Sequence, residues 1–455
     1  MGFSIQHGFD FEAAEKAYDD HAKLLMALKA LPSERLLRHL SLQRKGRRDR
    51  QYPLNNMLAC FVAMMVYNHE SFSSVRRELM RNRDLRYACF GRNDKGDVPS
   101  EWAFSRFMTK LAAPETHEMA REMFDEMVDE LRTLLPDFGA VLAGDSTDVA
   151  SRSNGTKDKE TGTASDTDAS WRKYEHKFTD EQGNAHKSVK KWFGYKLHLL
   201  VDAKHEVVLA YQVTSANAAD CKSLPDLVEE GQANLPEGRI ETLAYDKAAD
   251  DNESHRVLNA AKIRPVIQNR HLWKDQTEQM LPGHDGNSNI VYDEAGTMYC
   301  YDRSSLPIVK HQMAYIGYEP ERETIKYRCP ARHEGWTCPH DAVCNAGLSY
   351  GKTVRVNRTI DLRRFPPIPR ATKKFERLYD GRTSVERVNA RLKIFWGVDD
   401  GNITGAGRFH ALVGAVLIVH LAFATLLAAA PRREGTLGKI RLGPIQKALA
   451  QRPPS

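Results

Sequence analysis

The sequence predicts an α/β fold, in which a mixed sheet is flanked by helices. Three observations indicate it. Residues 1–135 carry apolar side chains at helical spacing. From Ala140 onward, short apolar runs alternate with helical patterns, as in a sheet covered by helices. Residues 269–374 interrupt this alternation with turn residues and short apolar runs, which indicates an inserted subdomain of strands and loops.

The first part of the chain is predicted to be an all-α domain. Apolar residues recur at helical spacing over Phe11–Leu31, Pro53–Asn68 and Pro114–Leu135. Between the first two segments lies a cluster of cations, which is either a solvated face or an arm that contacts phosphates. Its members are Arg44, Lys45, Arg47, Arg48 and Arg50.

The sheet is predicted to have five strands, the second and third joined as a hairpin. The strands are Ala140–Asp145, Phe193–Val201, Val207–Val213, Ile240–Asp246 and Arg264–Ile267. Residues 223–233 and 253–262 are predicted helices, and residues 151–168 are too polar for anything but a mobile loop. The predicted domains are 1–135 (helical, DNA-binding and assembly), 136–268 and 375–430 (two parts of one catalytic core), 269–374 (insertion) and 431–455 (basic tail).

Composition favours a cytoplasmic protein. The 455 residues are 41% hydrophobic and 28% charged, with a net charge of +6. Seven cysteines without a dense pattern do not indicate a secreted disulfide scaffold. The N-terminus lacks the basic and apolar regions of a signal peptide. Residues 411–430 are long and apolar enough to span a membrane, but a buried core helix is the preferred interpretation.

A helix that begins around Tyr379 combines one carboxylate with many cations. Glu386 and Lys393 lie near one helix face, with Arg382 just before it and Arg387 and Arg391 beside it. Such a set suits a site that holds a divalent metal and a phosphate. The alternative is a capping box, in which Thr383 and Glu386 only satisfy the amides at the helix start.

Two acids upstream supply partners for Glu386. Asp145 and Asp246 each end a predicted strand, where binding sites of open α/β sheets gather. Three such carboxylates can hold two Mg²⁺ ions for displacement at a phosphodiester. This context favours the catalytic interpretation of Glu386.

These residues resemble the bacterial insertion-sequence transposases of the DDE type. Tyr379-x-x-Arg382-x-x-x-Glu386-x-x-x-x-x-x-Lys393 resembles the Tyr-Arg-Glu-Lys signature of one large branch. Gly144-Asp145 and Tyr245-Asp246 resemble the motifs of the first two acids. Further stretches that fit are Arg50-Gln-Tyr52-Pro53, Val98–Phe107, Gly194-Tyr-Lys196-x-His198 and Thr214-x-x-Asn217-x-x-Asp220.

The resemblance implies a ribonuclease-H-like catalytic domain that cuts element ends and joins them to target DNA. Asp145, Asp246 and Glu386 would bind two Mg²⁺ ions, for which Mn²⁺ could substitute. The partners would be double-stranded DNA and further copies of the chain, with no membrane involved. Relatives place Gly-Tyr after the second acid, whereas Lys247-Ala-Ala-Asp250 follows here, so Asp250 is an alternative to Asp246.

The expected DNA-contacting residues lie on the signature helix and in the basic regions. Tyr379 would contact a terminal phosphate, and Arg382 and Lys393 the backbone near the cleaved bond. Further expected contacts are Arg387, Arg391, Arg363, Arg364, Lys373, Lys374, Arg47 and Arg48.

The insertion carries two further hypotheses. Cys300, Cys329, Cys338 and Cys344 are either a structural zinc site or free thiols in a reducing cell, with His333 and His340 as alternative ligands. Trp273 and Trp336 are either buried structural residues or platforms for an extruded base. Two alternatives to transposition stay open: a ribonuclease-H-like nuclease without strand transfer, and an inactive DNA-binding relative.

Overall fold

The computed structural model describes residues 21–46, 51–156, 164–180, 185–274, 277–282, 289–399 and 403–429. Within these ranges the N-terminal part is helical, as the apolar spacing predicts. Ser71, Asn82 and Ser100 each accept backbone N–H groups at a helix start. The helices are α1 (Ala22–Ala30), α2 (Glu34–Leu42), α3 (Leu54–Val66), α4 (Phe72–Arg81), α5 (Arg83–Phe90), α6 (Glu101–Leu111) and α7 (Pro114–Leu134).

A mixed sheet of six strands follows, one more than the sequence predicts. Its strands are β1 (Val141–Ala150), β2 (Ser170–Thr179), β3 (Ala185–Asp202), β4 (Val207–Ser215), β5 (Thr242–Tyr245) and β6 (Arg264–Ile267). β3 pairs antiparallel with β1 and β4 through residues 194–202, while β5 is parallel to β1 and to β6. The unpredicted strand, β2, pairs with residues 185–194 of β3.

Helices cover the sheet. α8 (Asp220–Ala233) and α9 (Asn252–Ala260) connect its strands, and α12 (Lys373–Asp380), α13 (Thr383–Ile394) and α14 (Ala406–Ala429) follow the insertion. By length and composition α14 could cross a membrane, but 78% of its most apolar window is buried within the protein. This burial agrees with the prediction of a core helix.

The hydrophobic core runs across the boundary predicted near residue 135. Side chains from α1 to α7, from the sheet and from α14 form one cluster of buried residues. Arg121 of α7 donates to the Tyr211 carbonyl at 2.9 Å, and its guanidinium lies 4.0 Å from the centre of the Tyr211 ring. His117 of α7 lies against His410 of α14, with the rings stacked at 5.3 Å. The helical segment is therefore packed directly on the sheet.

The insertion has its own smaller core, formed by two antiparallel sheets. One contains β7 (Gln279–Met280), β8 (Ile290–Tyr292), β9 (Met298–Asp302) and β10 (Val309–Gln312). The other contains β11 (Ala314–Glu319), β12 (Thr324–Arg328) and β13 (Thr353–Asn357). Two short helices, α10 (Pro330–Glu334) and α11 (Asp341–Cys344), lie between β12 and β13.

Candidate active site

Asp145 and Asp246 follow the paired segments of two neighbouring parallel strands. The pairing of β1 with β5 ends with Ala143 opposite Ala244, and each acid comes two residues after that pair. Asp246 directly follows β5, as predicted. The prediction that Asp145 ends its strand is wrong, because β1 continues to Ala150 through its pairing with β3. Asp145 is therefore held by its pairing with β3, where it lies opposite Leu199.

A close approach between the two strands explains the residue before each acid. A Cβ atom on Gly144 would lie 2.4 Å from the Tyr245 ring. The ring is fully buried, and it fills the space that any larger side chain at position 144 would need. Gly144-Asp145 and Tyr245-Asp246 are thus two halves of one packing arrangement, which fixes how closely the two acids approach.

Glu386 occupies the first turn of α13, but not as part of a capping box. The Thr383 side chain donates to the Asp380 carbonyl at 2.8 Å and caps no amide of its own helix. One carboxylate oxygen of Glu386 lies 2.8 Å from the Arg382 guanidinium, and the side chain is about half exposed. The capping-box alternative for Thr383 and Glu386 is therefore excluded. Tyr379 belongs to the preceding helix, α12, rather than to the start of α13.

The three acids act on one another electrostatically. The pKa of Asp145 is raised to about 6, chiefly by burial. The Ser146 backbone amide and Arg382 oppose this rise, while the negative charges of Asp246 and Glu386 add to it. Three carboxylates from distant parts of the chain therefore share one region. A bound cation would relieve their repulsion.

The side chains do not form a ready metal site as they stand. Among the residues that the structure describes, no three or more His, Cys, Asp or Glu side chains are arranged to hold a metal ion. The ion pair with Arg382 accounts for this at Glu386, because it directs the carboxylate to the guanidinium. Carboxylate oxygen donors nonetheless match the preference of Mg²⁺. Binding would require Glu386 to exchange Arg382 for the cation.

A buried polar network supports Asp145 from behind. Lys196 is almost fully buried and donates to Asp220 at 2.7 Å, and the Ser146 hydroxyl donates to the same carboxylate at 2.9 Å. His198 lies 3.8 Å from Asp220. Lys196, His198 and Asp220 belong to stretches in which the sequence resembles DDE transposases. This network supports the strand that carries Asp145, because the buried charges of Lys196 and Asp220 compensate each other and Asp220 also binds Ser146 on that strand.

The signature cations divide into two groups. Arg382 lies 5.6 Å from the Tyr379 ring centre, and Lys393 donates to the Asp148 carbonyl on the site strand. Arg387 and Arg391 instead form ion pairs with Glu206, the former at 2.7 Å.

The remaining residues that the sequence predicts to contact DNA differ in how exposed they are. Arg391 and Arg363 are less than a tenth exposed and bound to carboxylates, which contradicts their predicted contact with DNA. Arg364 lies over the Trp273 ring at 4.7 Å, while Lys373 and Lys374 are exposed at the start of α12. Arg47, Arg48 and the tail 431–455 lie outside the described residues.

Asp250 has a structural position, which removes it as an alternative to Asp246. Its carboxylate is fully buried and lies 2.7 Å from Arg363, 2.9 Å from Arg370 and 3.0 Å from His255. Both arginines come from the end of the insertion. Asp250 therefore ties the insertion to the catalytic core four residues after the second acid.

An exposed basic ribbon, formed by β2 and residues 185–193 of β3, was not predicted from the sequence. Lys173 and Lys191 stand directly opposite each other, and Arg172 and Lys190 lie over the rings of Tyr174 and Trp192. Trp171 is 53% exposed. Lys190 pairs with Asp148 at 2.7 Å, which connects the ribbon to the strand of Asp145. Alternation of aromatic residues and cations over 170–178 was the available signal.

The cysteines of the insertion gather around one cavity. Cys300, Cys329, Cys338 and Cys344 all line it, together with His340. Burial and the three other thiols raise the pKa of Cys300 to about 12. Trp336 is partly buried against His311 at 4.8 Å, and Trp273 packs on the insertion core, as structural residues would.

One comparison with known proteins bears on this geometry. Residues 137–422 match the family model described as the transposase DDE domain. No curated protein matches the chain. The matched range contains all three acids, the insertion and most of α14.

Proposed function

Because the chain belongs to the transposase DDE domain family, we propose that it is the transposase of a bacterial insertion sequence. It would cut the ends of the element and join them to target DNA in the cytoplasm. The observation that carries the proposal is the meeting of Asp145, Asp246 and Glu386, which come from two parallel strands and a helix after a long insertion.

The three carboxylates are proposed to hold the divalent metal. Two Mg²⁺ ions, or Mn²⁺ in their place, would supply charge neutralisation and a more acidic water or hydroxyl at the cleaved phosphate. Asp145 and Asp246 are positioned for this by their strands, whereas Glu386 must first leave Arg382. The released guanidinium would then be free to bind a phosphate oxygen.

The phosphate backbone is proposed to lie along the cations around this site, of which Lys373 and Lys374 are exposed and Arg382 and Lys393 are partly buried. Arg382, Lys393, Lys373 and Lys374 lie on α12, α13 and the turn between them. Tyr379, which stacks on Phe375 at 5.8 Å, would contact a terminal phosphate. Arg387 is about half exposed and could exchange Glu206 for DNA.

The basic ribbon is proposed as a second DNA-binding surface. Its cations exceed its acids: Lys173 and Lys191 lie directly opposite each other, and Glu175 pairs with both Lys173 and Lys187. Phosphates would compensate the remaining positive charge. A two-stranded ribbon also fits the major groove of B-DNA. The ribbon begins beside Asp148, three residues from Asp145, so DNA bound there would lead toward the acids. Two element ends would require a dimer or a larger assembly.

The proposal is tested with the inverted repeats that flank the reading frame. Duplexes of these ends, incubated with the protein, Mg²⁺ and a supercoiled plasmid, should give end cleavage and joined products. Asp145→Asn, Asp246→Asn and Glu386→Gln should abolish both and retain binding. Glu253→Gln, an exposed carboxylate paired with Arg256, should leave both unchanged.

The outcomes separate the alternatives. Cleaved ends without joined products would show a nuclease rather than a transposase. Binding without cleavage by the wild type would show an inactive relative. Cleavage that persists in all three acid variants would refute the assignment of the site.

A further inference from the structure

We propose that the insertion contains a structural zinc site formed by the thiolates of Cys300, Cys329, Cys338 and Cys344. Neither the proposed transposition nor the family match requires such a site. Zinc is bound in structural sites by four cysteine or histidine ligands in a tetrahedron. The chain supplies four cysteines in one place and holds its other three elsewhere.

The fold brings the four thiols together from separate elements. Cys300 lies on β9, Cys329 follows β12, Cys338 lies in the turn after α10, and Cys344 ends α11. They surround a cavity of about 30 Å³, which is of the size of a single small ion or water molecule. None of the four is in a disulfide. Within the part of the chain that the structure describes, no three His, Cys, Asp or Glu side chains are arranged to hold a metal ion, so zinc binding would require these cysteine side chains to turn toward one point.

Two buried amides point at these sulfurs. The Asn289 side chain donates to Cys344 Sγ at 3.3 Å, and the Asn345 side chain donates to Cys329 Sγ at 3.5 Å. Both asparagines are more than nine-tenths buried. Asn345 is held in place by the Lys352 amide at 2.6 Å. Such N–H groups stabilise negative sulfur, and donors around the ligands are a regular feature of metal sites.

The site would join the two sheets of the insertion. Cys300 belongs to the sheet of β7–β10, and Cys329 leaves the sheet of β11–β13. Among the described residues of the insertion, the shared core of these sheets contains ten buried side chains, which is small for a stable subdomain. A metal that links both sheets stabilises such a subdomain directly.

The insertion also bears on the catalytic core. Its last residues supply Arg363 and Arg370 to the buried carboxylate of Asp250, close to Asp246. Loss of the metal would therefore loosen a segment that is anchored beside the second acid.

The test is the metal content of the full-length protein. Protein purified from zinc-supplemented cells, then dialysed, should contain about one zinc per chain by plasma mass spectrometry. Cys338→Ser and Cys344→Ser should each lose most of it. The matched control is Cys221→Ser on α8, a partly exposed thiol outside the cavity, which should keep its zinc.

A spectroscopic measurement on the wild type does not depend on whether the variants fold. Exchange of the bound metal for Co²⁺ should give the charge-transfer absorption and visible bands of a tetrahedral four-sulfur site. His340→Ala should leave this spectrum unchanged, because its ring is engaged by Ser304 at 2.7 Å.

Several results would overturn the assignment. The first is wild-type protein that contains no zinc and in which all four thiols react rapidly with a thiol reagent. The second is a disulfide between any two of these cysteines, and the third is bound iron instead of zinc. The fourth is a cobalt spectrum that differs between His340→Ala and the wild type. Failure here leaves the cleavage experiments untouched, because zinc content is measured without DNA.

Discussion

Replacing Asp145 with Asn should stabilise the metal-free protein while abolishing cleavage. In the folded protein this carboxyl has a pKa of about 6, against the ordinary value of 3.8, because it is buried near Asp246 and Glu386. Asn keeps the size and the polarity of the side chain but removes its ionisation. The variant therefore isolates the free energy of holding a charge at this position.

The sign and size of the effect follow from linkage. Between pH 4 and pH 6 the unfolded chain has lost the Asp145 proton and the folded protein still holds it, so the free energy of unfolding falls as pH rises. Above pH 7 the accumulated loss is about 3 kcal/mol, from a shift of about two pH units at 1.36 kcal/mol each. Asp145→Asn should therefore be more stable than the wild type by up to about 3 kcal/mol at pH 7, and by less than about 1 kcal/mol at pH 4.

The assay is urea unfolding of both proteins in EDTA across this pH range. The matched control is Asp148→Asn on the same strand. Burial raises the pKa of Asp148, but hydrogen bonds, above all with Lys190, outweigh it and lower the pKa. This control should lose stability at pH 7. Added Mg²⁺ should stabilise the wild type more than Asp145→Asn, since a ligand of the folded state shifts unfolding by mass action. Equal or lower stability of Asp145→Asn at pH 7 in EDTA would refute the reasoning.

Three further outcomes are expected. Asp250→Asn leaves two buried guanidinium groups without their counter-charge, so the free energy of unfolding in urea should fall by about 3–5 kcal/mol. A decrease of less than about 1 kcal/mol would contradict this. Burial, aided by the charge of Arg391, lowers the pKa of His420 to about 3, so the free energy of unfolding of the wild type falls as pH drops below 6.5. In His420→Leu this loss should be smaller by about 2 kcal/mol at pH 5. Parallel curves of unfolding free energy against pH for the two proteins would contradict this. Lys173→Ala with Lys191→Ala should lower the slope of log binding constant against log salt by about two, measured by fluorescence anisotropy with duplex DNA; an unchanged slope would exclude the ribbon from the DNA surface.

The sequence by itself determined the features that depend on local periodicity. The apolar runs predicted α3 and α7 to within two residues at each end, and β6 over its whole length. They predicted the core helix α14 from Ala411, five residues after its first residue, Ala406. The hairpin of β3 and β4 followed from two apolar runs with a short connection. Asp246 was placed correctly because a strand end is marked in the sequence, where the apolar run stops.

Only the tertiary structure decided which charged groups meet. Asp145 lies inside its strand because β3 continues to pair beyond it, and no local pattern records that partner. Arg391 was predicted to bind DNA, yet it pairs with Glu206, 185 residues away. The same holds for the cysteines of the insertion: the sequence left a zinc site and free thiols as alternatives, and the packing of two sheets brings the four side chains around one cavity. Side-chain patterns report which face of an element is buried, whereas an ion pair or a ligand set depends on how distant elements pack, and that is settled by the whole fold.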